Sequence, residues 1–269
     1  VEFIKPLYRK VIKASADFLC DFVDHTTGLP LPSYDLWEER LGVHTFTTCA
    51  VIAGLTAAAA FTAAFGETDL EEKYRAAASR MRDALETHLY DAALGRYVSG
   101  IALTSGVPRK QLSLDASLAG LFAFGVFPAS DEKVASTLDA LREKLWCQTQ
   151  LGGMARYEQD RYQSVAAAGE DIPGNPWIIC TLWYAQYLIE KATGGAELRA
   201  SVAMLEWIAG RALRSGVLAE QINPFTGEAV SVSPLMWSHA EFIITVQRYL
   251  RKHREVERCP TCGQPLLPW

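Results

Sequence analysis

Residues 44–65 read HTFTTCAVIAGLTAAAAFTAAF, and residues 69–90 read DLEEKYRAAASRMRDALETHLY. The first stretch has no Asp, Glu, Lys or Arg in 22 residues. The second is densely charged and amphipathic. Only residues 66–68 separate them. The pair reads as a hairpin of one buried helix and one surface helix. The uncharged stretch is long enough to span a bilayer, but it is rich in Ala and Thr and carries His44. A helix buried on most sides of a soluble protein is the better reading, so no membrane is expected.

The same alternation runs along the chain. Helical periodicity predicts eight helices, at about 2–24, 44–65, 69–90, 114–125, 131–146, 177–191, 196–213 and 234–252. Thr68 with Glu71 reads as a capping box, Ser130 precedes Asp131 and Glu132, and Pro234 fits a first helical position. Uncharged helices lead into charged ones through short links (66–68, 126–130, 192–195). Charged helices lead back through long ones (25–43, 91–113, 147–176, 214–233). If outer helices run down and inner helices run up, all four long loops share one end. That is an all-α, (α/α)-toroid arrangement of helical hairpins with its binding face on the long-loop rim. Residues 1–253 are read as this toroid domain and 254–269 as a short tail.

Composition narrows the function classes. Hydrophobic residues make up 49% and charged residues 21%, which is globular. The net charge of −5 draws the chain neither to nucleic acid nor to an anionic surface. Seven Trp and ten Tyr exceed what a bare helical scaffold needs, and aromatic surplus lines grooves for flat ligands such as sugars. Of six Cys, four stand singly in apolar contexts (Cys20, Cys49, Cys147, Cys180) and read as small buried hydrophobes. No disulfide framework is visible, so a reducing, cytoplasmic setting is expected. The chain starts Val-Glu-Phe-Ile, inside a helical pattern, which suggests a preceding segment.

The long loops hold the candidate chemistry. The first carries Ser33-Tyr-Asp35-Leu-Trp37-Glu38-Glu39-Arg40. The third carries Arg156-Tyr157, Asp160 and Tyr162, then Gly174-Asn175-Pro176-Trp177. The fourth carries Glu220-Gln221, Glu228 and Trp237-Ser238-His239. Arg156 and Asp160 either clamp hydroxyls or pair with each other at the surface. Acidic residues on two loops of one rim suit glycoside hydrolysis. One carboxyl, kept protonated, donates to the leaving oxygen; the other, ionised, activates water or attacks directly.

Ser33–Arg40 followed by His44-Thr-Phe-Thr47 resembles the signature of glycoside hydrolase family 15, which holds glucoamylases, glucodextranases and some trehalases. The likeness continues at Arg156-Tyr157, Gly174–Leu182, Ala219-Glu220-Gln221 and Trp237-Ser238, and covers about residues 2–252. It implies an (α/α)6 barrel of twelve helices, of which the eight here match the last eight. It implies exo-acting, inverting hydrolysis of α-glucosidic bonds in an α-glucan, an oligosaccharide or a trehalose-type substrate, with no cofactor and no metal. Glu38 resembles the general acid and Glu220 the general base. Asp35, Trp37, Glu39, Arg156, Trp177 and Trp237 resemble substrate-binding or wall residues. An inverting pair stands about 6.5–9.5 Å apart. Glu38 then needs desolvation from Trp37 and the apolar loop to stay protonated. A second reading is a non-catalytic remnant that binds a glycan or a protein. With two hairpins unaccounted for, the chain alone is expected to be weakly active and to self-associate or bind a missing N-terminal half.

Cys259-Pro-Thr-Cys262-Gly remains. Structural zinc wants four ligands and the tail offers two, so a free or oxidised surface pair is the first reading. Zinc shared with a second chain or a further segment is the next, and a redox pair the last. His44 and His239 read as hydrogen-bonded supports.

Overall fold

The structure is a computed structural model that describes residues 5–104, 107–165, 172–259 and 261–266. The chain forms two compact units, residues 1–112 with 120–128, and residues 113–119 with 129–269.

In the first unit, helix α1 (Lys5–Leu7) runs through a π-helical stretch, Tyr8–Lys13, into α2 (Ala14–Asp21). This is the predicted 2–24 helix; residues 2–4 lie outside the described residues. The quoted hairpin follows as α3 (Thr45–Ala64) and α4 (Thr68–Leu89). Along α3, Thr45, Thr48, Cys49, Ile52, Leu55, Ala59 and Thr62 are buried at a spacing of three and four residues, and the helix packs mainly on α4. The expected burial on most sides is therefore not found: α3 buries one stripe, and its small side chains on the other side stay open. Opposite it, α4 buries Tyr74, Met81, Leu85 and Leu89, each contributing about 1.5–3 kcal/mol of transfer free energy. Asp17 on α2 accepts from Lys73 Nζ (2.7 Å) and Tyr74 Oη (3.0 Å), which ties α2 to α4.

The capping box at Thr68 and Glu71 is not formed. Gly66 takes φ +74°, and the Glu67 amide returns to Thr62 O at 3.0 Å. This closure starts α4 with Thr68 already helical and Glu67 as the capping position, and Glu71 pairs with Arg75 instead.

Short strands that periodicity does not predict occupy the long loops. Strands β1 (Ser33–Tyr34), β2 (Leu41–His44), β5 (Gly100–Thr104) and β6 (Val107–Gln111) form an antiparallel sheet in that order. A separate ribbon pairs β3 (Tyr90–Asp91) with β4 (Arg96–Tyr97). At two to five residues each, they are too short to show alternation. The predicted 114–125 helix is broken. Residues 116–119 form a 3-10 turn whose Ser117 amide is held by Asp115, and α5 is only Gly120–Ala123.

The second unit is built on α6 (Glu132–Leu145), α7 (Ile178–Lys191), α8 (Gly195–Ala209) and α9 (Met236–Val256), with strands β7 (Gln221–Ile222) and β8 (Ala229–Val230). Here the inner-helix expectation holds. Nearly every residue of α7 from Ile178 to Tyr187 is buried, among α6, α8, α9 and the 3-10 turn. Ile178, Leu182, Ile208, Leu218 and Ile222 form one core, with Phe242 packed against it. Gln186, buried in α7, donates to Glu241 Oε2 (2.7 Å) and Thr245 Oγ1 (2.9 Å) of α9. Pro234 does not begin α9: the Leu235 amide is spent on Leu218 O in extended backbone, and the helix starts at Met236. Cys49, Cys147 and Cys180 are buried as expected, while Cys20 is half-buried.

Asp131 caps α6, its carboxylate accepting from the Lys133 and Val134 amides at 2.9 and 3.1 Å. Asp131→Ala is expected to destabilise the chain by about 1 kcal/mol, read as a lower denaturation midpoint with an unchanged circular dichroism spectrum. An unchanged midpoint contradicts the capping assignment.

Candidate active site

The Trp37-Glu38-Glu39 segment joins β1 to β2. Asp35 organises it: its Oδ1 accepts the Glu39 amide at 2.9 Å and the Arg40 amide at 3.3 Å. Its backbone N–H donates to Arg40 O, and its carbonyl accepts from the Glu38 amide at 3.1 Å. This side-chain-to-backbone turn holds Glu38 at φ +60°, in the left-handed region that a residue with a Cβ rarely enters. Glu38 and Glu39 are exposed; Asp35 and Trp37 are half-buried. The described residues of the loop do not enclose Glu38, so the desolvation expected from Trp37 is not built into this loop.

His44 supports the loop from beneath. It is buried, and its Nε2–H donates to Arg40 O at 3.1 Å. Burial pushes its pKa below the ordinary imidazole value, against smaller opposing effects of Asp35 and of the Arg40 and Ser33 backbone. The sheet closes over this ring only because Gly100, opposite His44, and Gly42, opposite Ala102, carry no side chain. A Cβ at Gly42 would lie 2.5 Å from Ile101 O, and one at Gly100 would lie 2.5 Å from Val43 O and 3.0 Å from His44 Nδ1.

In the second unit, Arg156 is buried and pairs side-on with Asp160, Nε to Oδ2 at 2.9 Å and Nη2 to Oδ1 at 2.8 Å. Nη2 also donates to Tyr157 Oη at 2.9 Å. Three rings surround the guanidinium: Tyr157 at 4.5 Å, Trp177 at 4.9 Å and Tyr162 at 5.3 Å. The two residues do pair with each other, but in the interior rather than at the surface. Asp160 also accepts the Tyr162 amide, and its own amide donates to Pro173 O. Gly174 is required beside it, since a Cβ there would lie 2.8 Å from the Asp160 Cβ.

Glu220 sits at the end of a small ladder of backbone bridges. The Trp177 amide donates to Met154 O, the Ile178 amide to Glu220 O, and the Ile222 amide to Pro176 O. From the other side, Ser238 Oγ donates to Ala219 O (2.7 Å), and His239 Nε2 accepts the Leu218 amide (3.0 Å). Both bonds come from the first turn of α9 and fix the segment before Glu220. The Glu220 carboxylate takes two donors on Oε2: Ser231 Oγ at 2.6 Å and Gln221 Nε2 at 3.1 Å. Among the described residues, Oε1 takes none. Gln221 is in turn held by Asn175 Nδ2 (2.8 Å), whose amide group also bonds Gln163 O and the Val165 N–H. Gln221 and Asn175 are both buried.

The structure thus gathers Trp37, Glu38 and Glu39 on one Asp35-organised loop. It places Arg156 and Trp177 in contact, with Glu220 beside Trp177 along the backbone. Trp237, half-buried at the start of α9, packs edge-on against Trp183 at 5.7 Å. Glu228 lies exposed at the β7–β8 turn, bonded to Thr226 and away from the Glu220 hydrogen bonds. Ser231, which holds the Glu220 carboxylate, is not singled out by the sequence reading; Asn175 enters it only within Gly174-Asn175-Pro176-Trp177, without its bond to Gln221. Ser231 stands at φ +65°, and nothing in its sequence context signals that conformation. Among the described residues, the non-glycine positions with positive φ are Glu38, Gln159, Gln163 and Ser231, all in these loops. Backbone strain gathers where side chains must be aimed.

The chain as a whole is similar to known proteins. Residues 4–247 match the family described as glycosyl hydrolases family 15. An uncharacterised glycosyl hydrolase of Methanocaldococcus jannaschii is 30% identical over 225 residues, covering 80% of this chain and 34% of that protein. A glucoamylase of a Clostridium species is 26% identical over 264 residues, covering 88% and 36%. A trehalase of Thermoplasma acidophilum is 29% identical over 131 residues, covering 49% and 20%. The chain spans about a third of the length of the first two relatives. Among solved structures, a bacterial glucoamylase complexed with acarbose superposes with a TM-score of 0.76 at 23% identity, covering 92% of this chain and 38% of that one. This likeness shows the fold, and the helical-hairpin class expected from the sequence stands.

Two outcomes follow from the buried groups. Asp160→Asn leaves the Arg156 guanidinium buried without its counter-ion and is expected to cost about 3–5 kcal/mol in denaturant unfolding; a loss below about 1 kcal/mol contradicts the pair's role. For His44, the unfolded chain takes a proton near the ordinary pKa of about 6.5, while the folded chain takes it only at lower pH. Stability therefore falls as pH drops below about 6.5. His44→Gln, which keeps a donor for Arg40 O, is expected to flatten that part of the stability–pH curve. Parallel curves for the two proteins contradict it.

Proposed function

The chain belongs to family 15 of the glycosyl hydrolases, and on that premise we propose that the protein carrying it cleaves α-glucosidic bonds from non-reducing ends with inversion of configuration. The observation that carries this reading is the Glu220 carboxylate, with one oxygen anchored by Ser231 and Gln221 and the other open. A base that deprotonates water needs that division: one oxygen fixes the orientation, the other receives the proton. Glu38 is the acid. Its carboxyl gives a proton to the glycosidic oxygen as the bond to the anomeric carbon breaks. Water, losing its proton to Glu220, attacks that carbon from the opposite face.

The relatives named glucoamylase and trehalase point to an α-glucan, an α-glucosyl oligosaccharide or a trehalose-type disaccharide. Substrate bound over Glu38 supplies the desolvation that the exposed loop lacks. Glu39 and Trp37 contact the sugar beside it, and Trp177 and Trp237 line the wall near Glu220. Arg156, paired with Asp160 and Tyr157, holds the Tyr162 and Trp177 rings in place beside the sugar. The free thiols fit a cytoplasmic setting. Exposed Met236, Ile243 and Ile244 on α9 fit association of the isolated chain.

The two carboxylates separate by substrate. In the full-length protein, Glu38→Gln is expected to lower hydrolysis of a glucoside by about 10²–10⁴-fold. The loss should be far smaller on α-glucosyl fluoride, whose leaving group needs no proton. Glu220→Gln should lose both activities. Equal losses on both substrates in Glu38→Gln contradict the acid assignment, and a Glu220→Gln variant active on the fluoride moves the base elsewhere. Sugar binding without turnover in the unmodified protein favours the non-catalytic reading.

A further inference from the structure

The side-chain amide of Asn175, buried near Glu220, has its direction fixed by backbone groups. Its Oδ1 stands 3.1 Å from the Val165 nitrogen; a backbone N–H can only donate, so the oxygen belongs there. Its Nδ2 stands 2.8 Å from Gln163 O; a carbonyl can only accept, so the NH2 group belongs there. The second N–H of that group goes to Gln221 at 2.8 Å, which obliges Gln221 to present its oxygen. Gln221, itself buried, is left with one arrangement: Oε1 toward Asn175, and Nε2 toward the Glu220 carboxylate, 3.1 Å from Oε2. The reverse arrangement sets oxygen against the carboxylate and NH2 against NH2. Residues 163–165 thus dictate, through two side-chain amides, that a donor faces Glu220. Gln163 holds φ +54° in that turn, a conformation that a residue with a Cβ rarely enters.

We propose that Asn175 is a positioning residue for the base, and that the turn at residues 163–165 sets the base through it; this rests on the reading of Glu220 as that base. A base that takes a proton from water must be ionised, with one oxygen engaged and the other open. Ser231 Oγ, at 2.6 Å from Oε2, is a rotor that donates or accepts as its surroundings ask, so it does not by itself fix which form of the carboxyl is favoured. Gln221 does, because Asn175 leaves it only a donor to offer. The turn directly follows Tyr162, whose exposed ring lies 6.1 Å from that of Trp177. A sugar that touches Tyr162 therefore bears on the same turn, and order at the rim is linked to readiness of the base. The other titratable groups on the elements around Glu220 are engaged elsewhere. His239 of α9 accepts the Leu218 amide, Glu228 at the β7–β8 turn bonds Thr226, and Arg156 pairs with Asp160 beside Trp177.

The test uses the full-length protein and α-glucosyl fluoride, whose leaving group needs no proton, so that turnover reports on the base. Asn175→Ala is expected to lower kcat by about 10-fold or more with KM little changed, since displacing a catalytic group by about 1 Å can cost about 10²-fold. The acid limb of kcat/KM against pH should move to higher pH, because a carboxylate that loses a donor keeps its proton more readily. Asn175→Ser, which retains a hydroxyl but not the amide aimed at Gln221, should do the same and takes the place of the alanine variant if that one does not fold. In a Gln221→Met background, which has no amide to orient, the Asn175 substitutions should leave the limb where Gln221→Met alone puts it. An unmoved limb in the Asn175 variants, or an equal further movement on top of Gln221→Met, overturns the proposal: Asn175 then only holds its loop together. Glu220→Gln separates this failure from a failure of the reading beneath it. A Glu220→Gln variant active on the fluoride removes the base itself, whereas an inactive Glu220→Gln beside unmoved Asn175 variants removes the amide relay alone.

Discussion

Burying the Arg156–Asp160 pair is the constraint around which the rim of the second unit is built. Two opposite charges out of water are costly, and their mutual attraction offsets the cost only with full hydrogen bonding. The sequence meets this demand locally. Asp160 receives Nε and Nη2 of Arg156 and the Tyr162 amide, and Nη2 reaches Tyr157 Oη. The rings of Tyr157, Tyr162 and Trp177 complete the cage. Because Trp177 also begins α7, and its neighbour Ile178 donates to Glu220 O, the ion pair is coupled through one helix end to the carboxylate assigned as base.

The two carboxylates are held by different means. Glu220 stands on layered support: Ser231 and Gln221 on its oxygen, Asn175 on Gln221, and the first turn of α9 on the preceding residues. Glu38 stands on a six-residue loop whose order comes from one side chain, Asp35, and from His44 beneath Arg40. A base that must hold water in one place gains from the first arrangement. An acid that must follow the leaving oxygen is served by an exposed position that substrate encloses. Both arrangements keep non-glycine residues at positive φ, a local cost met by the hydrogen bonds around them.

Much of this was legible in the sequence, for reasons tied to particular segments. The densely charged 69–90 and 131–146 stretches show helical periodicity because water covers one side of each, and the observed helices start and stop within a residue or two. Residues 44–65, without charge, and 177–191, with none before Glu190, look alike in composition, yet α7 is enclosed and α3 buries one stripe; composition does not report how many neighbours a helix has. The strands escaped because pairing across long loops, not local pattern, creates them. The capping box at Thr68 lost to the closure made by Gly66. At the site, the spacing of Arg156 and Asp160 suggested a pair, but its burial depends on Trp177, some twenty residues on. Glu38 and Glu220 were visible through family resemblance, whereas Ser231 and the left-handed backbone at Glu38 had no local signal.

The central claim is that Glu38 and Glu220 act as acid and base on opposite faces of an α-glucosyl residue. Its most direct test is the configuration of glucose at the moment of release, followed by proton NMR on the full-length protein with an α-linked disaccharide before mutarotation intervenes. The account predicts that the anomeric signal of β-glucose appears first and decays towards equilibrium. Initial release of α-glucose means retention through a covalent intermediate, and contradicts the assignment of Glu220 as a base acting through water.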